Sequence, residues 1–250
     1  HGTISHRAVF QEATKKRDQI KHTNKNFAKS INSFLSRLHW RSHFIQKLED
    51  QPSIEHTSFI PVYDQIREKD EEKLEAWIEG KTGVHFIDAC MIYLRNYGWI
   101  NFRMRAMLAS FASYNLWLDW RYFAPRLAAL FTDFEPGIHY SQIQMQSGTT
   151  GINTIRMYNP YKQAMDQDPL GKFIKSQIPE VKNFPPAFFH NPPKKSLNVN
   201  LFDNEFQKEI INVKETSQYA RKKIFDIRKS QEHKILAKNF YLKHGSRGRS

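Results

Sequence analysis

Apolar residues recur at three- and four-residue spacing along almost the whole chain, a period that admits little except packed helices. "SHRAVFQEATKKRDQI" sets Val9, Phe10, Ala13 and Ile20 on one stripe, with Ser5 placed to cap the first turn. "NFAKSINSFLSRLHWRSHFIQKLED" continues through Phe27, Ile31, Phe34, Leu35, Leu38, Ile45 and Leu48 and ends at Gln51-Pro52. "DEEKLEAWIEGKTG" predicts a short helix with an acidic first turn, stopped by Gly80. The next helix is expected from near Thr82 to Gly98, burying Phe86, Ile87, Cys90, Met91 and Leu94. Another is expected from Trp99 to about Asp119, one more over Tyr122 to Phe131, and a last core helix in "GKFIKSQIPEV". The fold class expected is all-α, a multi-helix bundle.

Some stretches break the period. "TDFEPGIHYSQIQMQSGTTGINT" is polar and rich in Gly, Ser and Thr, and reads as a loop of more than about 20 residues, a length that is commonly functional. "NFPPAFFHNPPKK" reads as a proline-rich strap, and only "LNVNLF" alternates, weakly, like a strand. From Glu205 the chain reads as an amphipathic helical tail. The expected division is therefore residues 1–180 as a helical domain and 181–250 as strap and tail.

With 250 residues, 40% hydrophobic and 14% aromatic, the chain can build a proper core. No uncharged apolar run reaches the ~20 residues of a membrane span, and no signal-peptide pattern opens it. A single cysteine, Cys90, excludes an internal disulfide and any cluster that needs several thiolates from this chain. These features predict a cytoplasmic, reducing setting with no membrane partner. The net charge of +13 favours a polyanion such as nucleic acid, or an acidic membrane surface. The tail carries much of it, in Arg221, Lys222, Lys223, Arg228, Lys229, Lys234, Lys238, Lys243, Arg247 and Arg249, although a basic helix is as often a solvated face.

Several chemistries drop out. There is no G-x-G-x-x-G, no Walker loop, no G-x-S-x-G elbow and no catalytic-cysteine signature. His39 and His43 could share a helix face as zinc ligands, but no third ligand stands at a sensible spacing, so no metal site is expected. Asp133 and Glu135 resemble a glycosidase pair without any other sign of a sugar cleft. The aromatics of 99–120 taken alone read as helix core.

The arginines are harder to dismiss. Arginine is seldom buried without a partner, yet Arg103 and Arg105 stand beside Trp99 in a Met/Leu/Ala/Phe helix. They point to an anion or an electron-accepting ring. The segment after Phe131 offers Asp133 and Glu135 as acceptors and His139, Gln142 and Gln144 as polar partners.

"WIEGKTGVHFIDACMIYLRNYGWINFRMRAMLASF" resembles the core signature of the photolyase/cryptochrome family. "LWLDWR" is similar to the family's D-W-R helix end, "DFEPGIHYSQIQMQSGTTGINTIRMYNP" to its flavin loop, and "LHWRSHF" to its W-R-E-F. The resemblance covers about residues 1–235. It implies a helical domain holding FAD, with an α/β antenna-binding domain and a phosphate-gripping Ser/Thr loop expected upstream of "HGTIS". It implies Trp40 and Trp99 as aromatics of the cavity above the flavin, Arg41 near the phosphates and Arg105 against the flavin ring. Asp133 and Glu135 match the acidic residues that bond flavin and ribose, His139 falls where a residue faces flavin N5, and Gln142 lies in the same loop. Phe34, Arg37 and Phe102 complete the implied cofactor set, and Trp40, Phe102 and Met145 the implied DNA-substrate set.

The departures bear on activity. Phe34 stands where many photolyases have Trp, and Arg37 takes the place of the glutamate that grips a pyrimidine dimer. Phe102 replaces an asparagine or histidine near the substrate, and Met145 replaces the tryptophan that stacks on the dimer. Ala106 stands in the place of the second histidine of the (6-4) enzymes, and Asn115 replaces the acidic partner of the flavin arginine. Of three relay tryptophans only Trp120 is kept, with Ile143 and Val62 in the other places, so another route through Trp117, Trp99 or Tyr140 is implied. Trp99, Arg105 and Trp120 are the residues expected to carry catalysis.

Three readings follow: a light-driven DNA repair lyase acting on damaged DNA as a monomer; a cryptochrome-like photoreceptor signalling to a partner through its tail; and a helical nucleic-acid-binding protein without cofactor.

Overall fold

A computed structural model describes residues 3–151, 153–192 and 208–244. Its contacts divide into two compact units, His1–Glu55 with Glu135–Ser141, and His56–Phe134 with Gln142–Ser250. Among the described residues there is no strand, only an isolated bridge between Glu68 and Leu118, so the all-α class holds.

The first unit is a pair of helices. Helix α1 (His6–Ile20) is capped by Ser5, whose hydroxyl accepts from Ala8 N, as its sequence predicts. Helix α2 (Lys25–Asp50) is capped by Asn24 and buries Ala28, Ile31, Leu35 and Phe44. It ends at Gln51, and a 3-10 turn from Pro52 to Glu55 buries Ile54.

The second unit is built around α4 (His85–Tyr97), which packs against α3 (Glu71–Glu79), α5 (Phe102–Ser110), α8 (Pro160–Gln167) and α9 (Lys172–Gln177). Gly80 and Gly98 end α3 and α4 in the left-handed region, at φ +73 and +67. Trp77 on α3 meets Phe123 of α6 (Trp120–Ala128) edge to face at 5.6 Å.

Several boundaries depart from expectation. Helix α4 starts at His85, because the Asp88 carboxylate folds back on the preceding turn, accepting from Thr82 N, Thr82 Oγ1 and Gly83 N at 2.9, 2.6 and 2.8 Å. The helix expected over 99–119 is interrupted. Asn101 caps α5 by accepting from Met104 N, a π turn runs over Phe111–Asn115, and Trp117 takes φ 58 before Asp119 caps α6. The expected helix over 122–131 is accordingly α6, two residues earlier at its start.

The largest correction is the expected loop. Residues 136–147 form α7 (Pro136–Ser147), whose first turns belong to the first unit and last turns to the second. Its sequence has no apolar stripe because polar and apolar residues alike are buried, including Ser141, Gln144, Gln146 and Ser147. Gln144 shows how this is tolerated: Oε1 accepts from Phe59 N at 2.7 Å and Nε2 donates to Thr57 O at 3.0 Å. Gln144 therefore clasps a backbone segment.

Helix α8, which periodicity missed, carries the plain start signal of Asn159 as cap and Pro160 at its first position. The strap contains α10 (Pro186–His190), with Phe189 buried. "LNVNLF" and the last basic residues, Arg247 and Arg249, lie outside the described residues. The tail forms α11 (Val213–Lys229) and α12 (Gln231–His244). It is packed: α11 buries Val213, Ala220 and Ile224, and Asn115 Nδ2 donates to Val213 O, Thr216 Oγ1 and Ser217 Oγ.

Burial pushes the Asp88 carboxyl up to about 7, outweighing the hydrogen bonds from Thr82 and Gly83 that favour its charge. A folded-state value above the unfolded one means that stability from this group is present at low pH and is lost as pH climbs from about 4 to about 7. Asp88→Asn cannot ionise, so the wild-type stability measured by urea unfolding is expected to fall relative to this variant across that range. Asp88→Ala strands three buried donors and is expected to cost about 3 kcal/mol, read as a melting midpoint lower by about 6–12 °C.

Candidate functional site

In the second unit the signature segment folds around Arg105. Thr132 N and Thr132 Oγ1 both donate to Gly98 O, at 2.9 and 3.1 Å, which lays the 131–133 segment along the start of α5. The approach needs glycine, since a Cβ on Gly98 would stand 2.4 Å from Thr132 Cγ2. Asp133 is thereby brought to Arg105, whose Nη2 meets its Oδ2 at 2.9 Å. Arg105 Nε donates to Ile100 O at 2.7 Å, and the guanidinium lies 4.2 Å from the Phe131 ring centroid and 5.9 Å from that of Trp99. With its side chain 26% exposed, this is a cation held in one orientation and still reachable.

Arg103 is exposed, so the arginine pair of the sequence resolves into one anchored cation and one surface charge. Trp99 and Phe102 are 50% and 62% exposed, large aromatic faces left open beside that cation. Trp99 and Asn101 also border a cleft of about 340 Å³ walled by Phe86, Tyr93, Met104 and Phe173; Arg105 and Asp133 are not among its lining residues. Asn115, the residue in the place of the arginine's acidic partner, is used to hold α11. Asp133 alone among the described carboxylates pairs with Arg105.

In the first unit a second group gathers on α2. Phe34, Arg37 and Trp40 stand on an exposed strip at helical spacing, with Trp40 5.8 Å from the Phe44 ring and 5.7 Å from His43. Arg41 Nη2 pairs with Glu135 Oε2 at 3.1 Å. The contact follows from Gly137, where a Cβ would stand 2.7 Å from Ile45 Cα, so that the start of α7 lies directly on α2. His139 is buried next to Tyr140, at 5.2 Å between rings. Burial and the Lys47 charge hold the His43 imidazole below its ordinary range.

The remaining implied residues are in the second unit. Trp120 is buried and donates from Nε1 to Ser58 Oγ at 2.8 Å. Ile143 is buried, and Val62 and Met145 are half-buried. Trp117 donates from Nε1 to Ile66 O at 2.9 Å. Gln142 is half-buried, and its Oε1 is shielded from solvent with no hydrogen-bond donor beside it. A cofactor that presents an N–H or hydroxyl would satisfy that atom, so the residues fit such a group. Phe131, Thr132 and the Ile100 carbonyl escaped the sequence reading. Phe131 had the look of a helix end, and nothing local marks a ring as the floor under a distant guanidinium.

No helix among the described residues is long and apolar enough to cross a membrane, and no group of three or more His, Cys, Asp or Glu could hold a metal ion.

The family described as the FAD binding domain of DNA photolyase matches residues 34–233. The deoxyribodipyrimidine photo-lyase of Vibrio cholerae is 32% identical over 165 residues, which is 64% of this chain and 35% of that protein. Cryptochrome-2 of Gallus gallus is 28% identical over 193 residues, 74% of this chain and 33% of that protein. The chain thus spans about a third of the length of the curated relatives it matches. The crystal structure of the archaeal photolyase from Sulfolobus tokodaii, with two FAD molecules, superposes with a TM-score of 0.70 at 30% identity, over 84% of this chain and 47% of that one. On this match over most of its length, the chain belongs to the photolyase/cryptochrome family, through its helical FAD-binding domain.

Proposed function

We propose that the chain is the flavin-holding part of a blue-light protein that repairs damaged DNA, with FAD as cofactor. The observation that carries this reading is Arg105, braced by Asp133 and Ile100 O over the Phe131 ring. FAD, when bound, supplies the light-absorbing ring and the electron. Arg105 supplies a fixed positive charge, which favours an electron-rich ring, and Asp133 an acceptor for its N–H groups. The Gln142 Oε1 atom is a further acceptor in the second unit; the first unit, taken by itself, offers in Arg41 a cation for phosphate and in Glu135 a carboxylate for hydroxyls. In the second unit Trp99 and Phe102 present open aromatic faces for the ring or for a flipped base. The net charge of +13 suits a DNA backbone. His139 near the ring, a cytoplasmic location, monomeric action and the division into a 1–180 domain and a 181–250 strap and tail belong to the same reading.

A specific observation supports a second reading, a cryptochrome-like photoreceptor. Arg37, Phe102 and Met145 stand where dimer-gripping groups are expected, and none is the residue that the family has there. A signalling partner would then be met through the tail.

Blue-light repair of a dimer-containing oligonucleotide, assayed on the full-length protein, separates the two: repair is the expected result, and its absence with flavin bound favours the photoreceptor. If the dimer site is otherwise intact, Arg37→Glu is expected to raise affinity for that oligonucleotide. Arg105→Ala is expected to weaken FAD retention about 10- to 100-fold, measured by flavin absorbance after dialysis. Trp120→Phe is expected to slow light-driven flavin reduction while leaving FAD content unchanged, followed as bleaching of the oxidised-flavin band.

A further inference from the structure

A separate pair of cations lies in the second unit, Arg67 buried and Arg228 half-buried, and among the described residues neither forms a salt bridge. Arg67 is buried, donating from Nε to Ser113 O at 2.9 Å and from Nη2 to Ser147 O at 2.8 Å, with its guanidinium 4.9 Å from the Trp117 centroid and 5.6 Å from that of Tyr114. Its Nη1 is shielded from solvent and has no acceptor. Around it the Tyr114 hydroxyl, Ser113 Oγ and Ser147 Oγ are likewise buried without partners. The Tyr114 hydroxyl lies close to Ser147, since a Cβ on the next residue, Gly148, would meet it at 2.5 Å.

A second cation enters from the tail. Arg228 donates from Nη2 to Asn153 O at 2.7 Å and bonds the Tyr63 phenol, while its Nε is buried without an acceptor. The Tyr63 hydroxyl in turn meets His233 Nε2 at 2.9 Å. Asp119 is the carboxylate that faces Arg67, and both its oxygens are bonded by Arg121. Tyr63 and Tyr114 each feel the charges of both Arg67 and Arg228, so the two guanidinium groups and the idle hydroxyls share one region that is short of acceptors and of negative charge.

A buried charge without a hydrogen-bonded counter-charge is costly, and donor-only nitrogens cannot satisfy one another. A water molecule accepts at most two hydrogen bonds and brings no charge. We propose that the second unit holds a small monovalent anion of the chloride class, bound between Arg67 and Arg228 beside Tyr114 and Ser147. Such an ion is an acceptor for Arg67 Nη1 and offsets the uncompensated charge. It ties the tail helix α11 to the π turn and to the end of α7. Enclosure favours a monatomic ion over an oxyanion, since Tyr114 and Ser147 are 1% and 0% exposed. The site draws on none of the residues assigned to flavin, so it stands or falls apart from the flavin reading.

The test uses the intact chain. Thermal melting is followed while gluconate, too bulky to enter, is exchanged for chloride at constant ionic strength. The expected result is a saturable rise in midpoint of about 3–5 °C, absent in Arg67→Met. Crystals soaked in sodium bromide are expected to show an anomalous peak in hydrogen-bonding range of Arg67 Nη1. A midpoint indifferent to chloride, an equal rise in Arg67→Met, or a bromide map with no peak beside Arg67 would overturn the proposal. Should Arg67→Met fail to fold, the chloride titration of the wild type and the bromide map still decide it.

Discussion

Arg105 is charged, partly enclosed and set on an aromatic ring, and the second unit's functional end is organised around keeping it there. A guanidinium in that position needs hydrogen-bond acceptors in the plane of its fork and something flat beneath it. The Ile100 carbonyl and Asp133 supply the first and Phe131 the second. Each supplier depends on a feature of the chain: the Asn101 cap turns the 98–101 segment, and the bare Gly98 lets Thr132 lie against it. The cation is thereby paired with Asp133 and set between the Phe131 ring and the open face of Trp99.

Burial of polar groups is the recurring cost in this fold. Asp88, Gln144, Asn115 and Arg67 are all withdrawn from water, and each is used to tie backbone or helix together. Asp88 shapes the turn before α4, Gln144 clasps the 57–59 backbone, and Asn115 joins the π turn to α11. Polar clasps of this kind specify one arrangement among many that apolar packing alone would permit. The Asn115 amide is committed to the tail in this way, and among the described carboxylates Asp133 pairs with Arg105.

The open aromatic and basic faces bear on the two functional readings. On α2, Phe34, Arg37 and Trp40 form a strip that combines ring faces with positive charge, chemistry suited to an unstacked base and its phosphate. Arg37 cannot accept hydrogen bonds from a pyrimidine as a glutamate would. That strip offers charge and ring faces in place of a carboxylate acceptor.

Residues alone determined the helical class, the cap at Ser5 and the stops at Gly80 and Gly98. These are local matters: cap chemistry, apolar period and motif spacing operate within a few residues. The tertiary structure decided the rest. It made a helix of 136–147, whose polar faces are buried and therefore show no period. It put Phe131 under Arg105, broke the 99–119 helix at a π turn, and turned Gln144 and Asn115 into clasps. Those outcomes depend on which groups lose water together, and only packing between distant segments determines that.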